Sequence, residues 1–221
     1  MQYYSCTDEE RIRRTRLPLT GKIKLILDTD TYNEIDDQFA IFYALASEDR
    51  IELLGITAAL FHNQRSKSPQ DGMEKSYQEI LKILKMAGRE SEGFAFRGCE
   101  RPLDDTEHWR ESEAVDFMIR RAMECTREDP LYIAGIGAGT NIASAILKAP
   151  EIMDRIVVVW LGGNTYEWPR PDEFNLFQDV KAGQVLFDCG VPLIQVPASG
   201  VTGFLLTSVP ELRECLGGTG E

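Results

Sequence analysis

An apolar run that ends abruptly in carboxylates constrains this chain more than any other stretch. Leu25-Ile26-Leu27 reads as a short buried strand, and the ten residues that follow hold Asp28, Asp30, Glu34, Asp36 and Asp37. From Asp36 onward the apolar residues Phe39, Ala40, Phe42, Tyr43 and Ala46 fall at three-to-four spacing, so Asp36 and Asp37 sit near a helix start. A strand that ends in acids and is answered by an acidic helix start lies where open α/β sheets gather their ligands, beyond the strand C-termini.

Carboxylates crowded this closely repel, so either some hold a proton or a cation sits among them. Helix-dipole stabilisation explains Asp36 and Asp37, and turn chemistry is an alternative for Asp28 and Asp30. It accounts poorly for acids at the end of a buried strand. A hard divalent cation in an all-oxygen shell answers the repulsion directly, Ca²⁺ tolerating irregular geometry best.

The stretch DTDTYNEIDDQFA (Asp28 to Ala40) resembles the N-terminal signature DTDPGxDDxxA of the inosine-uridine-preferring nucleoside hydrolases, with TYNEI in place of PGx. The resemblance implies one bound Ca²⁺ and hydrolysis of the N-glycosidic bond of ribonucleosides. It makes Asp30, Asp36 and Asp37 metal ligands, Asp30 also the general base that activates the attacking water, and Asp28 a support behind them. Two further stretches follow in the family's order. Gly135-Ile136-Gly137-Ala138-Gly139-Thr140-Asn141 resembles its glycine turn, where the carbonyl of Ile136 would join the metal shell. Glu173-Phe174-Asn175 resembles a step whose two polar side chains grip ribose hydroxyls, and Asn164 fits the family's G-G-N step. An Asn after the second strand contacts the ribose in the family; Asn63, or His62 one residue earlier, takes that place.

The glycine turn alone would suggest a phosphate cradle, but the dinucleotide spacing G-x-G-x-x-G is absent. Glu173 and Asn175 lie two apart, so on an extended segment both project into one cavity.

At 221 residues, with 43% apolar and 27% charged residues, the chain suits one domain with a substantial core, residues 22–221, preceded by an N-terminal arm over 1–21. A net charge of −12 argues against nucleic acid and anionic membranes as partners. The five cysteines show no C-x-x-C spacing, which suits reduced thiols in a cytoplasm. The arm pairs Asp8-Glu9-Glu10 with Arg11, Arg13, Arg14 and Arg16, and is expected to be solvated.

The expected fold is α/β, an open, mostly parallel sheet with helices on both faces, truncated at its C-terminus. Strands are predicted near 23–28, 52–59, 94–96, 131–134, 156–161 and 191–196, the last buried. Helices are predicted near 36–47, 73–87 and 112–125 and beyond Asp179, with Ser66 to Gly72 a loop and residues 98–108 a loop over the site. Trp160 and Trp168 are candidates to wall a base pocket, or to pack in the core. His108 is expected in solvent.

The resemblance extends from residue 22 to about residue 210. It implies about another hundred residues, the size of a small domain, carrying a further Asp ligand and the His that protonates the leaving base. Neither His62 nor His108 matches that His. The chain is therefore read as a nucleosidase acting on a ribonucleoside, its relatives assembling as dimers or tetramers. Two other readings stand beside it. One is a silent fragment that binds Ca²⁺ or ribose. The other is a haloacid dehalogenase-type phosphatase, suggested by Asp28-x-Asp30.

Overall fold

The computed structural model describes residues 2–218. Its elements in chain order are α1 (Asp8–Arg14), β1 (Ile23–Thr29), α2 (Ile35–Ala46), β2 (Ile51–Ala58), α3 (Pro69–Met86), β3 (Ala95–Phe96) and α4 (Glu113–Met123). They continue with β4 (Leu131–Gly135), α5 (Thr140–Lys148), β5 (Ile156–Leu161), α6 (Phe174–Gln178), α7 (Val180–Asp188), β6 (Leu193–Val196) and α8 (Val209–Leu216). The strands form one sheet in the order β3-β2-β1-β4-β5-β6, every neighbouring pair parallel. The chain winds outward from β1 to β3, then crosses back to lay β4 on the other side of β1. This reversal leaves a crevice above the C-terminal ends of β1 and β4, where Asp28 pairs in register with both Thr57 and Gly135.

Alternation along β1 sends side chains to two cores. Ile26 joins the cluster built by α4, α5 and α7, and Leu27 joins the one built by α2 and α3. Continuous burial of β1, β4 and β5 follows from helices covering both faces. All of Thr140 to Leu147 in α5 is buried. The sequence reading did not pick out this helix, which follows directly on the glycine turn.

Several expectations need correction. Helix α3 begins at Pro69, four residues before the predicted start, inside what read as a loop. The Ser68 side chain accepts from Asp71 N, and Pro69 at the first helical position has no N–H to leave unpaired. Gly72 then lies within the helix, because a Cβ there would meet the Phe61 carbonyl oxygen at 1.9 Å. The buried face of α2 is Asp37, Ile41 and Ala44, whereas Phe39, Phe42 and Tyr43 face outward, Tyr43 75% exposed. Strand β6 is half-buried along its length, since it ends the sheet with one side unpaired.

The N-terminal arm docks. Arg14, only 5% exposed, donates to the carbonyls of Met153, Asp154 and Ile156 and to Tyr4 Oη. Tyr4 Oη in turn donates to Asp154. Most of the arm is exposed, as expected, but at Arg14 the expectation of solvation fails, because an arginine stem packs well on apolar surface while its fork satisfies carbonyls left free at strand and helix ends.

Candidate active site at the strand switch point

The end of β1 carries three buried polar residues, each held by a different neighbour. Asp28 Oδ1 accepts from Thr57 Oγ1 at 2.5 Å on β2 and from Asn141 Nδ2 at 2.8 Å on α5, while its Oδ2 is buried without a partner. Burial pushes the Asp28 carboxyl up to about 7, against the pull of those two donors. Thr29 Oγ1 donates to Asp37 Oδ1 at 2.6 Å, tying the strand end to the first turn of α2. Asp30, 1% exposed, also keeps a buried oxygen, Oδ2, without a hydrogen-bond partner.

Asp30 and Asp37 repel one another. Burial raises the Asp30 carboxyl well above its usual range, and the charge of Asp37 raises it further; the adjacent Asn33 amide opposes both. Asp37 is pushed up to about 7, first by burial, then by Asp36 and Glu34, with the Thr29 hydroxyl pulling the other way. Asp36 is exposed, unlike the other two, although its charge still bears on Asp37. Among the described residues, no three His, Cys, Asp or Glu side chains form a group able to hold a metal ion.

The glycine turn after β4 brings backbone against this pair. Ile136 N donates to Asp28 O at 2.8 Å, and Ile136 O accepts from Asn175 Nδ2 at 3.0 Å. Gly137 is required by contact: a Cβ there would meet Asp30 Oδ1 at 2.9 Å and Asp30 N at 3.1 Å. Trp160 Nε1 donates to Gly137 O at 3.1 Å from below. The buried carboxylates of Asp30 and Asp37, the first with an orphaned oxygen, and the carbonyls of the glycine turn offer oxygen donors only. That chemistry suits a hard divalent cation, and these groups alone are fewer than the six oxygens such an ion takes.

The other expected site residues are engaged as follows. Glu173 caps α6, its carboxylate accepting from Gly163 N, Asn175 N and Leu176 N. The Glu-Phe-Asn segment is thus a helix start and not an extended strand, because a carboxylate at the N-cap satisfies N–H groups that would otherwise be orphaned. Asn175 donates to Ile136 O and Leu161 O, which leaves its Oδ1 free among the described residues. Asn164 Nδ2 donates to Arg170 O and Asp172 O, and its Oδ1 accepts from Ser199 N, stapling two loops. Asn63 Nδ2 donates to Asn33 Oδ1 at 2.7 Å, and His62 is exposed. Trp160 is fully buried core; Trp168 is partly exposed and lines a cavity of about 560 Å³ with Asn164 and Tyr166. His108 is exposed and paired with Asp105.

Two residues escaped the sequence reading. Asn33 sits in the turn after Asp30, its N donating to Asp30 O at 2.7 Å, and links Asp30 to Asn63. Asn141 joins three elements at once: it donates to Asp28 Oδ1 and Ala58 O, and accepts from Cys99 N at 2.8 Å. An amide following a strand-ending acid by five residues, or opening a helix after a glycine turn, carries little signal on its own. Asn141→Ala is expected to lower unfolding free energy by about 2–3 kcal/mol, since it strands buried Cys99 N–H and Ala58 C=O groups. Denaturant titration measures this; an unchanged midpoint would show that Asn141 holds nothing together.

A family model described as inosine-uridine preferring nucleoside hydrolase matches residues 25–215. The chain belongs to that family. Among its relatives, an uncharacterised protein of Schizosaccharomyces pombe is 28% identical over 208 residues, covering 86% of this chain. The pyrimidine-specific ribonucleoside hydrolase RihA of Escherichia coli O81 is 26% identical over 197 residues, covering 78% of this chain. The chain spans 65% and 59% of those two relatives' lengths. Among solved structures, a purine-preferring ribonucleoside hydrolase from Gardnerella vaginalis superposes with a TM-score of 0.61 at 29% identity, over 79% of this chain and 60% of that one. The nucleoside hydrolase fold of the chain is thereby established, as is its all-parallel sheet. Among the described residues, no helix is long and apolar enough to cross a membrane.

Proposed function

We propose that this chain carries the catalytic half-site of a ribonucleosidase, cleaving the N-glycosidic bond of a ribonucleoside to ribose and free base. The observation that supports this best is the buried Asp30 carboxylate, with an unpartnered oxygen, facing Asp37 at the strand switch point beneath the glycine turn. Asp30, Asp37 and the Ile136 carbonyl would hold a Ca²⁺ ion, with Asp36 at the rim. When bound, that ion offsets the repulsion between the carboxylates and makes water a better acid.

The chain's own groups then divide the work. Asp30, buried beside Asp37 and with an unpartnered oxygen, takes the proton from the attacking water. Asp28 fixes the strand end behind it through Thr57 and Asn141. Asn175 Oδ1, free to accept, takes a sugar hydroxyl, and Glu173 offers its remaining lone pairs beside it. Asn63, positioned by Asn33, and Asn164 close the sugar site. Positive charge develops on the ribose ring as the bond to the base breaks, as in glycoside hydrolysis, and the surrounding carboxylates stabilise it.

Nothing among these residues protonates a leaving base, so substrates with good leaving groups should react faster. Incubation with p-nitrophenyl riboside and with inosine, with and without Ca²⁺, is expected to show metal-dependent p-nitrophenol release well ahead of hypoxanthine. No metal-dependent turnover of either would end the enzyme reading for this chain. Ribose or Ca²⁺ binding by calorimetry without turnover would favour a silent binding module. The family match sets aside the phosphatase reading. The same proposal puts the chain in cytoplasmic nucleoside salvage, as a dimer or tetramer that light scattering would detect.

A further inference from the structure

At the opposite end of the sheet from the acidic crevice lies a basic cavity of about 310 Å³, between α1 and the start of β4. Arg13, Arg14, Arg16, Lys22 and Arg127 line it together with Tyr132. In a chain of net charge −12, five cations around one cavity run against the prevailing field. Against them stand Glu128 and Asp129, and Asp129 is already paired with Lys24 at 2.5 Å. Arg127 is paired with Glu10 and Asp154. Arg13, Arg16 and Lys22 make no ion pair among the described residues.

A second observation comes from beneath the surface. Arg14 is buried, yet its hydrogen bonds run only to carbonyls and a tyrosine hydroxyl, and its Nε has no partner. No carboxylate touches this guanidinium; its charge is balanced only at one remove, by Asp154 through Tyr4 Oη. The Tyr132 hydroxyl, in the same wall, also has no hydrogen-bond partner among the described residues. Forked guanidiniums around a small cavity match the several acceptor oxygens of a phosphate group better than they match a single carboxylate. The size of the cavity is at the low end for small-molecule sites.

We propose that this cavity binds a phosphate group, free or carried as a small monoester, at a site separate from the acidic crevice. Strand β4 separates the two: from the wall at Tyr132 to Gly135 at the glycine turn it rises roughly 10 Å. Nucleic acid is the disfavoured occupant, since the net negative charge outside the cavity repels a polyanion.

The test uses the full chain, metal-free, in buffers of matched ionic strength containing chloride, inorganic phosphate, ribose 5-phosphate or sulfate. Melting temperature and calorimetry are read for the natural chain and for the double variant Arg16→Gln/Lys22→Gln. Both of those side chains are exposed, so the fold is not at stake. Phosphate should raise the melting temperature above the chloride control, with binding about tenfold weaker in the double variant. Equal binding of phosphate and ribose 5-phosphate assigns the site to the phosphate group alone; tighter binding of the ester extends it to the attached sugar. No shift beyond chloride with any phosphate, or an equal shift in the double variant, overturns the proposal. Sulfate acting as strongly as phosphate, with the same loss in the variant, keeps the site but widens it to tetrahedral dianions.

Discussion

Asp30→Asn is expected to cut release of p-nitrophenol from p-nitrophenyl riboside by about 10³-fold or more, the range for loss of a general base, while making the metal-free protein more stable. The two effects share one cause. Asp30 is buried with an oxygen that has no donor, beside a second buried carboxylate whose charge raises it. An amide in its place loses the basicity, ends the repulsion and gains an N–H₂ group to offer Asp37. Relief of a buried, unsatisfied group of this kind is worth about 1–3 kcal/mol. The pH dependence gives the sign. A carboxyl whose folded value lies above its unfolded value favours the folded state fully below the unfolded value, near 4, and that contribution is lost as pH rises through the folded value. Asp28 and Asp37 are both pushed up to about 7, and Asp30 moves in the same direction. The metal-free natural chain should therefore weaken between pH 4 and pH 7, and the variant's advantage should be largest at neutral pH and shrink toward pH 4. Added Ca²⁺ should stabilise the natural chain and leave Asp30→Asn nearly unmoved. A variant that keeps a tenth of the activity, or melts lower than the natural chain at pH 7.5, would remove Asp30 from the centre of the site.

Much of this arrangement could be read before any coordinates. Strands β1, β4 and β5 announced themselves as apolar runs, and the acids after β1 fixed which sheet edge mattered. What stayed hidden was set by contacts distant in sequence. Asn141 reaches Asp28 across 113 positions and Cys99 across 42, so neither partner could be inferred from spacing. Glu173 was legible as a polar residue near the site, but its second hold, on Gly163 N arriving from beyond the end of β5, was not. The outward aromatics of α2 misled the periodicity: Phe39 and Tyr43 repeat at helical spacing, yet the face that packs is Asp37, Ile41 and Ala44, drawn inward where Thr29 holds Asp37. A buried carboxylate overrode a hydrophobic stripe.

Trp160→Ala is expected to cost about 3–5 kcal/mol, as truncation of a fully buried large aromatic does. The residue is the last but one of β5, bonded to the glycine turn, is 0% exposed, and packs edge-on against Phe187 with ring centroids 5.9 Å apart. Its ring also explains why glycine stands at the neighbouring positions. A Cβ at Gly162 would meet it at 2.4 Å, and one at Gly135 at 3.1 Å. The indole N–H to Gly137 O then pins the one residue whose missing side chain admits Asp30. Trp160→Phe separates the two roles. It keeps most of the packing but loses that hydrogen bond, leaving a buried carbonyl unpaired at a cost of about 1–2 kcal/mol. If the indole positions the turn, Trp160→Phe should also weaken Ca²⁺ binding several-fold, since the Ile136 carbonyl rides on the same backbone. A Leu186→Ala variant, cut from the same core and lying against the turn at Gly139, should lose comparable stability without that loss of affinity. Denaturant midpoints and calcium titrations on the three variants decide the matter: if affinity merely follows stability, Trp160 is packing and nothing more.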